Sequence, residues 1–101
     1  EKCKQLPYPV LADPARELAD IFDVYSEEDG VAERGGFIVN PGGKIVCCEV
    51  NAGNIGRNAT ELRRRVQASQ FVAEHGDSVC PARWVPGSEV LHPGIDLVGK
   101  L

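Results

Sequence analysis

A chain of 101 residues, 43% hydrophobic and 26% charged, has the composition of one globular domain. Its net charge of −4 argues against nucleic-acid binding, which needs a basic stripe to displace counterions. No apolar run approaches the roughly 20 residues of a membrane span, and the first residues lack the apolar core of a secretion signal. The expectation is a cytoplasmic protein with no nucleic-acid or membrane partner.

Leu6–Ala12 reads as an extended lead-in, held out of helix by Pro7 and Pro9. Asp13-Pro14 then has the chemistry of a helix start, Asp13 capping and Pro14 in the first helical position. Leu18, Ile21, Phe22 and Tyr25 follow at helical spacing and are expected to face a core. The acidic Ser26–Gly30 stretch is expected as the loop that ends this helix.

Phe37-Ile38-Val39 is a short strand, and Asn40-Pro41-Gly42-Gly43 places Pro and Gly as in a type II turn. Lys44–Val50 is the returning strand of a hairpin. Alternation puts Val46, Cys48 and Val50 on one face and Ile45, Cys47 and Glu49 on the other. Cys48 is expected to be a small core residue, and a disulfide between the adjacent cysteines would be strained.

Asn58 starts a second helix, with Glu61 at capping-box spacing. Asn58-Ala59-Thr60 also matches a glycosylation sequon, which this helix start explains as chance. Leu62, Val66, Ser69 and Ala73 form its expected buried stripe, widened by Phe71-Val72. Gly76 is expected to stop the helix, with His75 capping its last carbonyls. Arg63-Arg64-Arg65 splay around the axis instead of making one basic face. From Asp77 on, three prolines and three glycines predict an extended tail lying against something else. The domain expectation is therefore 1–76 for a partial α/β domain and 77–101 for the tail.

Four cysteines (Cys3, Cys47, Cys48, Cys80) and two histidines (His75, His92) show no zinc spacing, so neither metal nor cofactor is expected. Cys47 and Cys48 read as packing residues, Cys3 as an exposed bystander, and His92 as tail surface.

Several segments resemble the peroxiredoxins, in order and at compatible spacing. They are Tyr8–Pro14, Glu33–Lys44 with its Arg-Gly-Gly-Phe strand start, Glu49-Val50-Asn51, Ile55–Asn58, and Val79-Cys80-Pro81 followed by Trp84. The closing Asp96–Leu101 is similar to the end of the bacterial alkyl hydroperoxide reductase type. The resemblance implies a thioredoxin-like α/β fold and thiol-dependent reduction of hydrogen peroxide and organic hydroperoxides. It implies that Cys80 is the resolving thiol, which condenses with a sulfenic acid on a second subunit. It likewise implies that Arg34 is the arginine that activates the peroxidatic thiol and holds the peroxide, with Arg57 supporting it. The partners implied are a second subunit, in dimers or rings of five dimers, and a disulfide reductase, either a dedicated flavoprotein or thioredoxin.

The family's nucleophile stands in a Thr-x-x-Cys-Pro motif, and these 101 residues contain none: Asp77 stands three residues before Cys80. The expectation is a C-terminal part of such a subunit, inactive by itself. Gly36, where the family often has a bulkier residue, should loosen the strand beside Arg34. A second reading is a non-catalytic module that docks on full-length subunits through its sheet edge and tail.

Overall fold

The structure is a computed structural model that describes residues 5–95 and 98–99, so Cys3 and most of the closing run lie outside the described residues. The chain divides into two compact units, residues 1–33 and 34–101. No helix among the described residues is long and apolar enough to cross a membrane.

In the first unit, Asp13 caps a helix that starts later than Pro14. Arg16 takes a left-handed φ of 61°, and its N–H closes a turn onto the Asp13 carbonyl at 3.0 Å. Helix α1 is then only Glu17–Ile21. The Asp13 carboxylate reaches over this turn and accepts from the N–H groups of Leu18 (3.2 Å) and Ala19 (3.0 Å). The helix ends in a Schellman pattern: Asp23, at φ 55°, donates to the Asp20 carbonyl at 3.1 Å, and Val24 donates to that of Ala19 at 3.0 Å.

That reversal removes Tyr25 from the helix, contrary to the spacing argument. Tyr25–Ser26 (β1) pairs antiparallel with Val31–Ala32 (β2), so the acidic stretch is a hairpin tip and not a helix-ending loop. Val24 is buried here, whereas Leu18 and Ile21 are exposed, Ile21 at 75%. A five-residue helix capped so tightly turns Val24 inward in place of the stripe that longer periodicity would have buried.

The second unit is built on the hairpin of β3 (Arg34–Val39) and β4 (Ile45–Asn51). Its turn is not type II. Positive φ falls on Gly43 (83°) and not on Gly42, with the Gly43 N–H donating to the Asn40 carbonyl at 2.9 Å. This is a type I turn followed by a left-handed glycine, which matches strand twist better. The register then slips, from Ile38 opposite Cys47 to Val39 opposite Ile45, leaving Val46 as the extra residue of a bulge.

Which face of β4 is covered is also inverted from expectation. Cys47, Glu49 and Asn51 are half-buried, while Cys48 and Val50 are exposed. Hydrophobicity pointed to the valine face. What selects the other is helix α2 (Ala59–Glu74), whose Arg65 pairs with Glu49 at 3.1 Å.

Helix α2 starts as expected, Asn58 Oδ1 accepting from the Glu61 N–H at 3.1 Å. The capping box is only half made, because the Glu61 carboxylate is turned onto arginines further along the helix. Of the expected stripe, Leu62 and Ser69 are half-buried and Val66 and Ala73 are exposed. At the C-terminus Gly76 keeps an ordinary φ, so there is no glycine cap. His75 does this work: its ring stacks on Phe71 at 4.1 Å, and its Nδ1 lies 3.0 Å from the Phe71 carbonyl.

The tail is folded back, not extended. Val79 and Leu91 exchange backbone hydrogen bonds of 2.6 and 2.9 Å. Between them Trp84, 2% exposed, packs against Phe71 with centroids 5.3 Å apart. Trp84 and Val24 are the two buried apolar side chains among the described residues.

Gly36 has ordinary strand φ, and a Cβ there would meet nothing nearer than Glu49 Cγ at 4.0 Å. Gly36→Ala should therefore raise stability by about 0.5–1 kcal/mol, seen as a higher urea midpoint at unchanged slope. An unchanged or lower midpoint would show that the strand does not accept a side chain there.

Candidate functional site around Cys80

The centre of this site is an arginine that motif reading did not single out. Arg64 projects from α2 and donates to both oxygens of Glu61, from Nε at 2.7 Å and from NH2 at 2.8 Å. Its NH1 donates to the Trp84 carbonyl at 3.1 Å, which ties the folded tail to the helix. Arg65 joins the same carboxylate at 3.2 Å and bridges to Glu49. The expected splay of the arginine run is what allows this, with Arg63 left exposed.

Two cations on one carboxylate hold Glu61 well below its ordinary range, from 4.5 to about 2, with the Arg64 hydrogen bond as the largest cause. A carboxyl depressed in the folded state contributes stability that is fully present above its unfolded pKa and lost as pH falls from 4.5 toward 2. Glu61→Gln should flatten stability against pH in that window, measured by urea unfolding at stepped pH. The same slope in both proteins would contradict the pairing.

Beside Arg64 lies a cavity of about 600 Å³, lined by β4, α2 and the start of the tail. Cys80 lines it and is half-buried, held next to the Val79–Leu91 bridge and not on a loose tail as the proline-rich sequence implied. Burial pushes its thiol pKa up, and the Arg64 charge only partly offsets this. Cys47 lines the same cavity, on the face of β4 that it shares with half-buried Glu49.

Arg34 and Arg57 form a second cluster. Arg34 Nε donates to the Gly53 carbonyl at 2.8 Å, and Arg57 NH1 donates to the Gly35 carbonyl at 2.7 Å. Together they lace the loop before α2 to the start of β3, and Arg57 holds the backbone next to Arg34. Both are exposed, and neither has a carboxylate partner among the described residues. Neither lines the Cys80 cavity, so the three anticipated site residues fall into two places. Among the described residues no group of three or more His, Cys, Asp or Glu is placed to hold a metal ion.

Known proteins match the sequence along the whole chain. The AhpC/TSA family pattern matches residues 1–47, and that of the C-terminal domain of 1-Cys peroxiredoxin matches residues 68–97. Alkyl hydroperoxide reductase C of Bacillus subtilis is 46% identical over 101 residues, covering 100% of this chain and 54% of that protein. The Staphylococcus epidermidis protein of the same name is 46% identical over 97 residues, 96% of this chain and 51% of its own length. The crystal structure of Enterococcus faecalis AhpC superposes with a TM-score of 0.68 at 58% identity, over 73% of this chain and 44% of that one. Reduced Plasmodium vivax 2-Cys peroxiredoxin gives a TM-score of 0.77 at 28% identity, over 85% and 44%. The fold is thus the thioredoxin-like α/β fold of these proteins. The chain spans about half the length of the curated relatives it matches. With both sequence patterns and the fold in agreement, the chain belongs to the peroxiredoxin family, as a stretch of the alkyl hydroperoxide reductase C type.

Proposed function

We propose that this chain supplies the resolving half of a thiol peroxidase that reduces hydrogen peroxide and organic hydroperoxides in the cytoplasm. The observation that carries the reading is Cys80, set in Val-Cys-Pro and held half-buried beside the Arg64 cation. The first thiol comes from the part of the relatives' length that this chain does not span. Its thiolate attacks the O–O bond, releases an alcohol or water, and becomes a sulfenic acid. The Cys80 sulfur then attacks that sulfenic sulfur, water leaves, and an intersubunit disulfide forms. A flavoprotein disulfide reductase or thioredoxin returns both thiols. Arg34, its charge unneutralised, serves the first step by favouring the attacking thiolate and holding the peroxide oxygens. Arg57 positions it through Gly35.

Two preparations test this. The 101-residue chain alone should consume no hydroperoxide catalytically, because no Thr-x-x-Cys-Pro nucleophile is present in it. The same chain joined to the upstream half of the Bacillus subtilis relative should turn over cumene hydroperoxide with a disulfide reductase. Turnover by the isolated chain, or a folded chimera without turnover, would overturn the proposal.

A further inference from the structure

Two thiols open into the cavity beside Arg64: Cys80 from the folded tail and Cys47 from β4. The Arg64 guanidinium interacts electrostatically with both. Neighbouring Cys48 is exposed on the opposite face of β4, so it takes no part. The remaining wall is largely aliphatic, with Val46, Ala68, Val72 and Val79 among it. A cavity of this size is within the range that small molecules occupy.

We infer that Cys47 and Cys80 are a second redox site, a dithiol that closes to an intrachain disulfide by exchange with a low-molecular-weight disulfide. One cysteine, as its thiolate, attacks a sulfur of the incoming disulfide and expels one small thiolate. The second cysteine then attacks the protein-side sulfur of that mixed disulfide and expels the other. Two protein thiols are oxidised and one small disulfide is reduced to two thiols, which carry away the two protons. The cavity admits the small disulfide and then gives the Cys80 segment room to move toward β4. Once closed, the bond withholds Cys80 from any partner. This inference does not rest on the proposed peroxidase reading, since it needs neither a peroxide nor a second subunit.

The test uses the Cys3→Ser/Cys48→Ser chain, equilibrated with reduced and oxidised glutathione in native buffer and in concentrated urea. Free thiols are trapped with N-ethylmaleimide, and products are read by intact mass and peptide mapping. The expected product is about 2 Da lighter and joins the Cys47 and Cys80 peptides. Its effective concentration should be at least roughly tenfold higher in native buffer than in urea. Trp84 fluorescence reports that the native sample is folded. Glutathione adducts with the second thiol still trapped, no oxidation, or equal effective concentrations in both solvents would overturn it.

Discussion

Trp84→Ala should cost about 3–5 kcal/mol, which leaves only about 0–2 kcal/mol if stability is at the low end of the usual 5–15 kcal/mol range. The reason is concentration of burial. Trp84 is 2% exposed and is the one buried apolar side chain described in that unit. It stacks at a tilt of 50° on Phe71, its backbone N–H donates to the Pro81 carbonyl at 2.9 Å, and its carbonyl accepts from Arg64. Removing the ring takes away what keeps the tail, and hence Cys80, on α2. Trp84→Phe separates packing from polarity. The indole N–H is buried without a partner among the described residues, so phenylalanine discards an unsatisfied donor while keeping a ring against Phe71. Its cost should stay below about 1.5 kcal/mol. Urea unfolding followed by circular dichroism measures both. Trp84→Ala within 1 kcal/mol of the parent would mean that the tail is not held through this ring.

The second large effect concerns catalysis. In the chimera with the Bacillus subtilis upstream half, Cys80→Ser should lower steady-state turnover by about a hundredfold or more, while one equivalent of hydroperoxide per subunit is still consumed. The two readouts should part because, in the proposed cycle, Cys80 acts after the O–O bond is broken. A serine hydroxyl does not condense with a sulfenic acid to a reducible disulfide, so the enzyme stops after one cycle. If both readouts fell together, Cys80 would be acting on the first step or on folding. If neither fell, another thiol, with Cys47 the nearest candidate, would be resolving the intermediate.

What the sequence makes legible is local chemistry. Asn58 as a cap, the β3–β4 hairpin, His75 over the last helical turn and the family motifs around Arg34, Arg57 and Cys80 all rest on nearest neighbours along the chain. Positions decided by one residue's φ were not legible. The left-handed Arg16 and Asp23 shortened α1 and released Tyr25 into a strand, although neither residue type announces that conformation. The shift of positive φ from Gly42 to Gly43 is of the same kind. It carried with it a bulge at Val46. Cys48, between two valines at alternate positions, looked like the core residue. Cys47 reached the cavity because Glu49 on its face is bound by Arg65. The Arg64–Glu61–Trp84 arrangement was out of reach for a different reason, since it depends on a tail that prolines and glycines made look extended.

In the proposed cycle Cys80 is the second thiol of a two-thiol reaction. The most direct measurement adds one equivalent of hydroperoxide to the reduced chimera without reductase, traps free thiols and maps the disulfides by mass spectrometry. Cys80 is expected to be joined to the upstream peroxidatic cysteine of a second subunit. Cys80 recovered as a trapped free thiol after the peroxide has been reduced would contradict it.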